Sequence, residues 1–155
     1  MVVVNAAIET DVRQRLPEAP IVVNPHPDAG RTGSLQLGLH HLLEIFGSSL
    51  SRVVMVPVDR PCWDVDLLQT LLRHHGTTAP MALERKGHPV VLDAEAVDAV
   101  RHAGQDRPLR DIVSFTGVAF DAPWLHMNID TQDDVDQLRS TGPHLSVCFS
   151  QSEGI

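Results

Sequence analysis

Apolar residues occur in short bursts along this chain, and the bursts alternate between the period of a strand and the period of a helix. Val2–Asn5 and Ile21-Val22-Val23 are β-branched runs that predict two strands, the second closed by Asn24-Pro25. Between them Ala7–Leu16 sets Glu9, Asp11, Arg13 and Arg15 on a wet side, which predicts a helix ended by Pro17. His26–Thr32, with Pro27, Asp28 and Gly30, reads as a loop. Gly33–Phe46 follows as an amphipathic helix with Leu35, Leu39, Leu42, Leu43 and Phe46 inward. Val53–Val58 predicts a third strand, buried on both faces of a parallel sheet and stopped by Arg60 and Pro61. Asp64–His74 reads as a helix capped by Asp64 and ended by Gly76.

The rhythm then changes. Ala79–Leu83 and Pro89–Leu92 are short apolar runs around Glu84-Arg85-Lys86-Gly87-His88, the pattern of two strands joined by a polar turn. Asp93 caps a predicted helix running to about His102, and Pro108–Val113 starts a short second one. Val118–Phe120 reads as a weak strand and Trp124–Ile129 as a better one. Thr131–Arg139 reads as a helix whose acidic start suits its positive end. Alternating strands and helices predict an α/β, three-layer architecture with a mostly parallel sheet, mixed where the insert around residue 87 runs antiparallel. The expected organisation is one domain over residues 1–140 and a polar tail over 141–155. Within that tail, the apolar patch Leu145–Phe149 points either to a homodimer contact or to packing on its own domain.

Composition narrows the function classes. The 155 residues carry 20 Asp and Glu against 12 Lys and Arg, a net charge of −8. Nucleic acid asks for a basic patch, and no such patch is legible here. Nucleotides are not excluded, since a metal ion can supply the positive charge. Two cysteines, Cys62 and Cys148, make neither a disulfide framework nor a zinc site. Without a basic amino-terminal region or a long apolar stretch, the expectation is a cytoplasmic protein with no signal peptide and no membrane span. The nine histidines are dispersed and read mostly as solvated surface.

Four segments place polar groups at strand ends or helix starts. Gly30-Arg31-Thr32-Gly33-Ser34 enters a helix, where free backbone N–H groups and the Ser34 hydroxyl could hold an anion; an ordinary cap is the alternative. Asp59 follows an apolar run, at the sheet edge where open α/β sheets bind ligands. It is a candidate ligand for a hard cation such as Mg²⁺, or simply a cap for the next helix. Lys86-Gly87-His88-Pro89 offers His88 to a phosphate or ring, or is an exposed turn. In Asn128-Ile129-Asp130-Thr131, strand alternation puts Asn128 and Asp130 on one side. With Asp59 they make three oxygen ligands for one metal; the alternative is that Asp130 or Thr131 caps the next helix.

The order of these segments is more specific than any one of them. Gly-x-x-x-Ser-Leu-x-x-Gly-Leu (Gly30 to Leu39), apolar-Asp-x-Pro (Val58 to Pro61), Gly-His-Pro (Gly87 to Pro89) and Asn-Ile-Asp-Thr-x-Asp-Asp (Asn128 to Asp134) together resemble the molybdenum cofactor guanylyl- and cytidylyltransferase family, the MobA-like NTP transferases. The resemblance runs from about Val2 to Arg139. It implies a Rossmann-like, nucleotide-diphospho-sugar-transferase-like fold. It also implies Mg²⁺-dependent transfer of CMP or GMP from CTP or GTP to a phosphorylated acceptor such as molybdopterin. Asp59 matches the catalytic metal-binding acid, and Asn128 and Asp130 match the second metal-contacting segment. Gly33 and Ser34 lie in the nucleotide-side loop, and Gly87 and His88 lie near the acceptor-side pocket.

The family's opening strand and its loop of the type Leu-Ala-Ala-Gly-x-x-x-Arg-x-Gly are not among these residues. Val2–Asn5 matches what would be the family's second strand. The two amino-terminal strands would then pair directly with Val53–Val58, or be completed by a second copy or another protein, or by residues encoded upstream. Loss of that triphosphate grip predicts weak turnover or none by these residues alone. The alternative function is a non-catalytic nucleotide- or cofactor-binding or assembly module.

Overall fold

A computed structural model describes the backbone of residues 1–149 and the side chains of residues 1–140. The expected Leu145–Phe149 patch lies outside the described side chains. The chain folds as two compact units, Met1–Val53 with Asp93–Ser114, and Val54–Leu92 with the chain from Phe115 on.

In the first unit, β1 (Val2–Asn5) and β2 (Ile21–Asn24) pair in parallel, Val2 opposite Ile21 and Asn5 opposite Asn24, across the crossover helix α1 (Glu9–Arg15). They form a sheet of two strands by themselves, so direct pairing with the Val53 strand, one of the arrangements left open above, is not what the described hydrogen bonds show. Helix α2 (Arg31–Phe46) begins two residues earlier than expected. It buries Leu39, while Phe46 stays half exposed. Gly38 lets it approach β1 closely: a Cβ there would lie 3.1 Å from Val3 Cγ2. Helix α4 (Ala94–His102) is capped by Asp93, whose carboxylate accepts from the Ala96 amide at 2.9 Å. It buries Ala96, Val97 and Val100. Its last carbonyls are met from α2, where Gln36 Nε2 donates to Val100 O and Ala103 O, each at 2.8 Å.

The second unit is built on a five-stranded sheet in the order β3-β6-β4-β5, with β7 on β4. Its strands are β3 (Arg52–Met55), β4 (Thr78–Ala82), β5 (Arg85–Lys86), β6 (Val90–Asp93) and β7 (Thr116–Ala119). β4 runs antiparallel to β5 and β6 and parallel to β7, so this sheet is mixed, as expected around residue 87. The turn between β4 and β5 is tighter than expected. Leu83 and Glu84 form it with φ of 51° and 61°, the left-handed region that two-residue hairpins require. The β4 register then slips by two residues between β5 and β6, across His88 and Pro89, where Pro89 has no amide to continue the ladder. Leu67, Leu71, Ala82, Val91, Val118 and Leu125 form the core, with Trp63 and Phe120 packed against it. Leu67 and Leu71 come from helix α3 (Val65–Arg73), capped by Asp64 through a 2.8 Å bond from the Leu67 amide.

Two expected strands are corrected. Val53–Val58 does not stay extended to the acid: β3 ends at Met55, Val56 is half exposed and Val58 is fully exposed. Pro57 lacks the N–H a ladder needs, and its carbonyl accepts from the Arg60 amide at 3.2 Å, so the chain turns instead. Trp124–Ile129 is also not a strand. Local bonds from Leu125 N to Ala122 O (3.1 Å) and from Met127 N to Trp124 O (3.0 Å) coil it. The last helix, α5, runs over Gln132–Phe149 and so continues past the expected end at Arg139.

Candidate metal and nucleotide site

The second unit brings the two acid-bearing segments together through their backbones rather than through a ladder. The Ile129 amide donates to Asp59 O at 3.0 Å. Next to it, Arg60 Nη1 donates to His126 O at 2.7 Å. The His126 ring reaches back to β4, with Nε2 2.9 Å from Ala82 O, which makes Nε2 the protonated nitrogen. The Asp59 backbone is therefore bonded to the segment that carries Asn128, and it is so from a turn and not from the end of a strand.

Asn128 Oδ1 is buried and has no hydrogen-bond partner. A buried carbonyl oxygen left without a donor is costly, and a cation is one group that satisfies it. Asn128 Nδ2 donates to Asp130 Oδ2, which ties the two side chains although no strand alternation aligns them. Among the described residues no group of three or more His, Cys, Asp or Glu is placed to hold a metal ion. Any cation here thus depends on the amide oxygen as well as on the carboxylates. Two carboxylates and one amide oxygen are a hard, all-oxygen set, and they fit Mg²⁺ by type.

Thr131, and not Asp130, caps α5. Its hydroxyl accepts from the Asp134 amide at 3.2 Å. Asp134 Oδ2 in return accepts from the Thr131 amide and hydroxyl, both at 2.8 Å, and from the Asp130 amide at 3.0 Å. The Thr131 hydroxyl first, then the Thr131 and Asp130 amides, hold the Asp134 carboxyl below its usual range. A carboxyl with a lowered pKa stabilises the fold above its ordinary value and loses that contribution as pH falls through the lowered one. We expect an NMR titration to place Asp134 below an ordinary aspartate. Exchange at the Thr131 amide should be faster in Asp134→Asn than in the parent chain at neutral pH, and the difference should shrink in acid. Equal exchange at neutral pH would remove this account.

The other candidates are engaged differently. In the first unit the Gly33 amide donates to Gln105 O at 3.2 Å and the Ser34 amide to Gly30 O at 3.4 Å. The Ser34 hydroxyl accepts from Asn24 Nδ2 at 3.0 Å. The amides expected to be free at this helix start are thus already used at residues 33 and 34. Gly30 is required there, with φ +106° and a Cβ position 3.0 Å from Gln105 O. In the second unit Gly87 is buried, and its amide donates to Pro80 O at 2.7 Å. It lies under Leu125, one residue before His126, while His88 is half-buried. Sequence reasoning missed Arg60 and His126 as parts of this assembly, because Arg60 read only as a strand stop and His126 as one dispersed histidine among nine.

Residues 1–122 match the model of the MobA-like NTP transferase domain. Among solved structures, molybdopterin-guanine dinucleotide biosynthesis protein A from Archaeoglobus fulgidus is similar with a TM-score of 0.63 and 16% identity, over 92% of this chain and 77% of that one. That likeness bears out the nucleotide-diphospho-sugar-transferase-like fold. No curated protein matches the chain. Among the described residues no helix is long and apolar enough to cross a membrane. With its family model matched over most of its length, this chain belongs to the MobA-like NTP transferase domain family.

Proposed function

We propose that this chain is a cytoplasmic nucleotidyltransferase that moves CMP or GMP from CTP or GTP to a phosphorylated acceptor such as molybdopterin. An acceptor phosphate oxygen attacks the α-phosphorus in line. The new P–O bond forms to the acceptor, the bond to the α–β bridging oxygen breaks, and pyrophosphate leaves with that electron pair. Asp59, Asn128 and Asp130 would hold Mg²⁺, which when bound neutralises charge on the transferring phosphates. Asp134 and Thr131 fix the backbone of Asp130 by capping α5. Gly33 and Ser34 belong to the nucleotide side and Gly87 and His88 to the acceptor side. The observation that supports this reading best is the buried, unpartnered Asn128 Oδ1 in a segment bonded to the loop of Asp59.

A second reading, a non-catalytic nucleotide- or cofactor-binding module, is favoured by the engaged amides of Gly33 and Ser34. The Leu-Ala-Ala-Gly type of loop is not among these 155 residues, so the triphosphate grip it provides is not theirs. Several lost contacts of that kind lower a rate by on the order of 10³-fold. Incubation of the chain with CTP or GTP, Mg²⁺ and molybdopterin should therefore give slow, metal-dependent release of pyrophosphate. Calorimetric nucleotide binding with no turnover would favour the binding module. Neither binding nor turnover would remove both readings.

A further inference from the structure

We infer that Arg60 is a positioning residue that holds the Asp59 loop against Asn128. The inference rests on the metal-binding reading of Asp59, Asn128 and Asp130. The loop after β3 has no ladder of its own, with Pro57 in its middle and Val58 fully exposed. Two bonds tie it across to the other segment: Asp59 O accepts from Ile129 N, and Arg60 Nη1 donates to His126 O. Their partners, residues 126 and 129, flank Asn128 on both sides. Residues 59 and 60 are adjacent, so the two bonds act as a clasp around that one asparagine. The clasp is anchored further by His126 Nε2 on Ala82 O of β4.

Without the Arg60 side chain the described tie from residues 59 and 60 to the Asn128 segment is the backbone bond at Asp59 O, about which the loop can pivot. A carboxylate and an amide oxygen that share a cation must stay within coordination distance, about 2.0–2.1 Å each from Mg²⁺. A pivot of the loop moves one relative to the other. Arg60 supplies a charge-assisted donor to a carbonyl, stronger than a neutral one and aimed by its planar fork. Lysine keeps the charge and an ammonium that can donate but not the planar fork. Methionine keeps the length and loses every donor.

The test titrates Mn²⁺ into the full chain, read by electron paramagnetic resonance of the free ion, for the parent, Arg60→Met and Arg60→Lys. Groups that orient a metal ligand cost about 10–100-fold in affinity when removed, so Arg60→Met should weaken Mn²⁺ binding about tenfold or more. Arg60→Lys should recover part of the loss. Exchange at the Ile129 amide should quicken in Arg60→Met, while the buried Val91 amide in β6 keeps its protection. Arg60→Leu, which also lacks a side-chain donor, gives the same comparison should the methionine variant fail to fold. If the parent binds Mn²⁺ and the neutral variants bind it equally well, the inference falls and the metal reading stands. If the parent binds none, the metal reading itself fails and the inference with it.

Discussion

Alanine at position 87 is expected to lower the thermal midpoint by about 2–12 °C, the shift that about 1–3 kcal/mol of overpacking produces in a chain of this size. A Cβ on Gly87 would sit 2.7 Å from Leu125 Cγ and 2.9 Å from its Cδ2. Those atoms are not the loose end of a long side chain. Leu125 is 2% exposed and belongs to the core around Leu67, Leu71 and Val118. Gly87 cannot retreat easily either, because its amide donates to Pro80 O at 2.7 Å. The residue that yields is therefore Leu125, and the chain from His126 to Asp130 follows it. We expect Gly87→Ala to weaken Mn²⁺ binding as well as stability, although alanine adds only one methyl group. Thermal melts of Gly87→Ala, Leu125→Ala and the double variant decide the cause. Leu125→Ala alone should cost about 2–5 kcal/mol. If the clash is the cause, the two changes relieve each other and the double variant loses less than the sum. Simple additivity would show that Leu125 is not what the added methyl meets.

This position also illustrates what the sequence could carry. Gly87 reads as a turn residue beside an acceptor pocket, and the turn itself lies at Leu83-Glu84. Nothing local announces a leucine 38 residues downstream packed against its backbone. Local chemistry, by contrast, is legible. Asp64 and Asp93 stand before apolar-periodic runs and cap their helices through bonds three residues ahead. The family's ordered segments are legible too, and with them the fold. Where sequence and structure part, they part on burial. Val56 and Val58 continue a β-branched run, and a run of that kind predicts a strand only if something covers it; here they are exposed. Trp124–Ile129 has strand-like composition but is held by ties to Asp59, Arg60 and Ala82, which lie 44 or more residues away. Such ties leave no periodic trace. The helix start at Gly33 and Ser34 looks open for the same reason, because Gln105, which takes the Gly33 amide, is remote in sequence.

Asp59→Asn is expected to weaken Mn²⁺ binding about 100-fold or more, because removing a group that merely orients a ligand already costs about 10–100-fold. The variant keeps the volume of the side chain and leaves the backbone bond from Ile129 N to Asp59 O in place, since that bond uses the carbonyl. Stability should thus change little, and surface-loop substitutions of this kind stay within about 0.5 kcal/mol. The contrast with Gly87→Ala is the informative part. There the metal affinity falls because the scaffold under Leu125 moves, so stability and affinity fall together. At Asp59 the charge alone is removed, so affinity falls while the melt is unchanged. Asn128→Asp is the converse: it places a carboxylate where the buried, unpartnered amide oxygen lies. A third acid close to Asp130 repels it when no cation is present and strengthens the site when one is. That variant should be less stable than the parent without metal and should regain stability as Mn²⁺ is added, in proportion to RT ln(1 + [Mn²⁺]/Kd). An Asp59→Asn chain that binds Mn²⁺ as the parent does would show that the cation sits elsewhere, whatever the fate of the clasp.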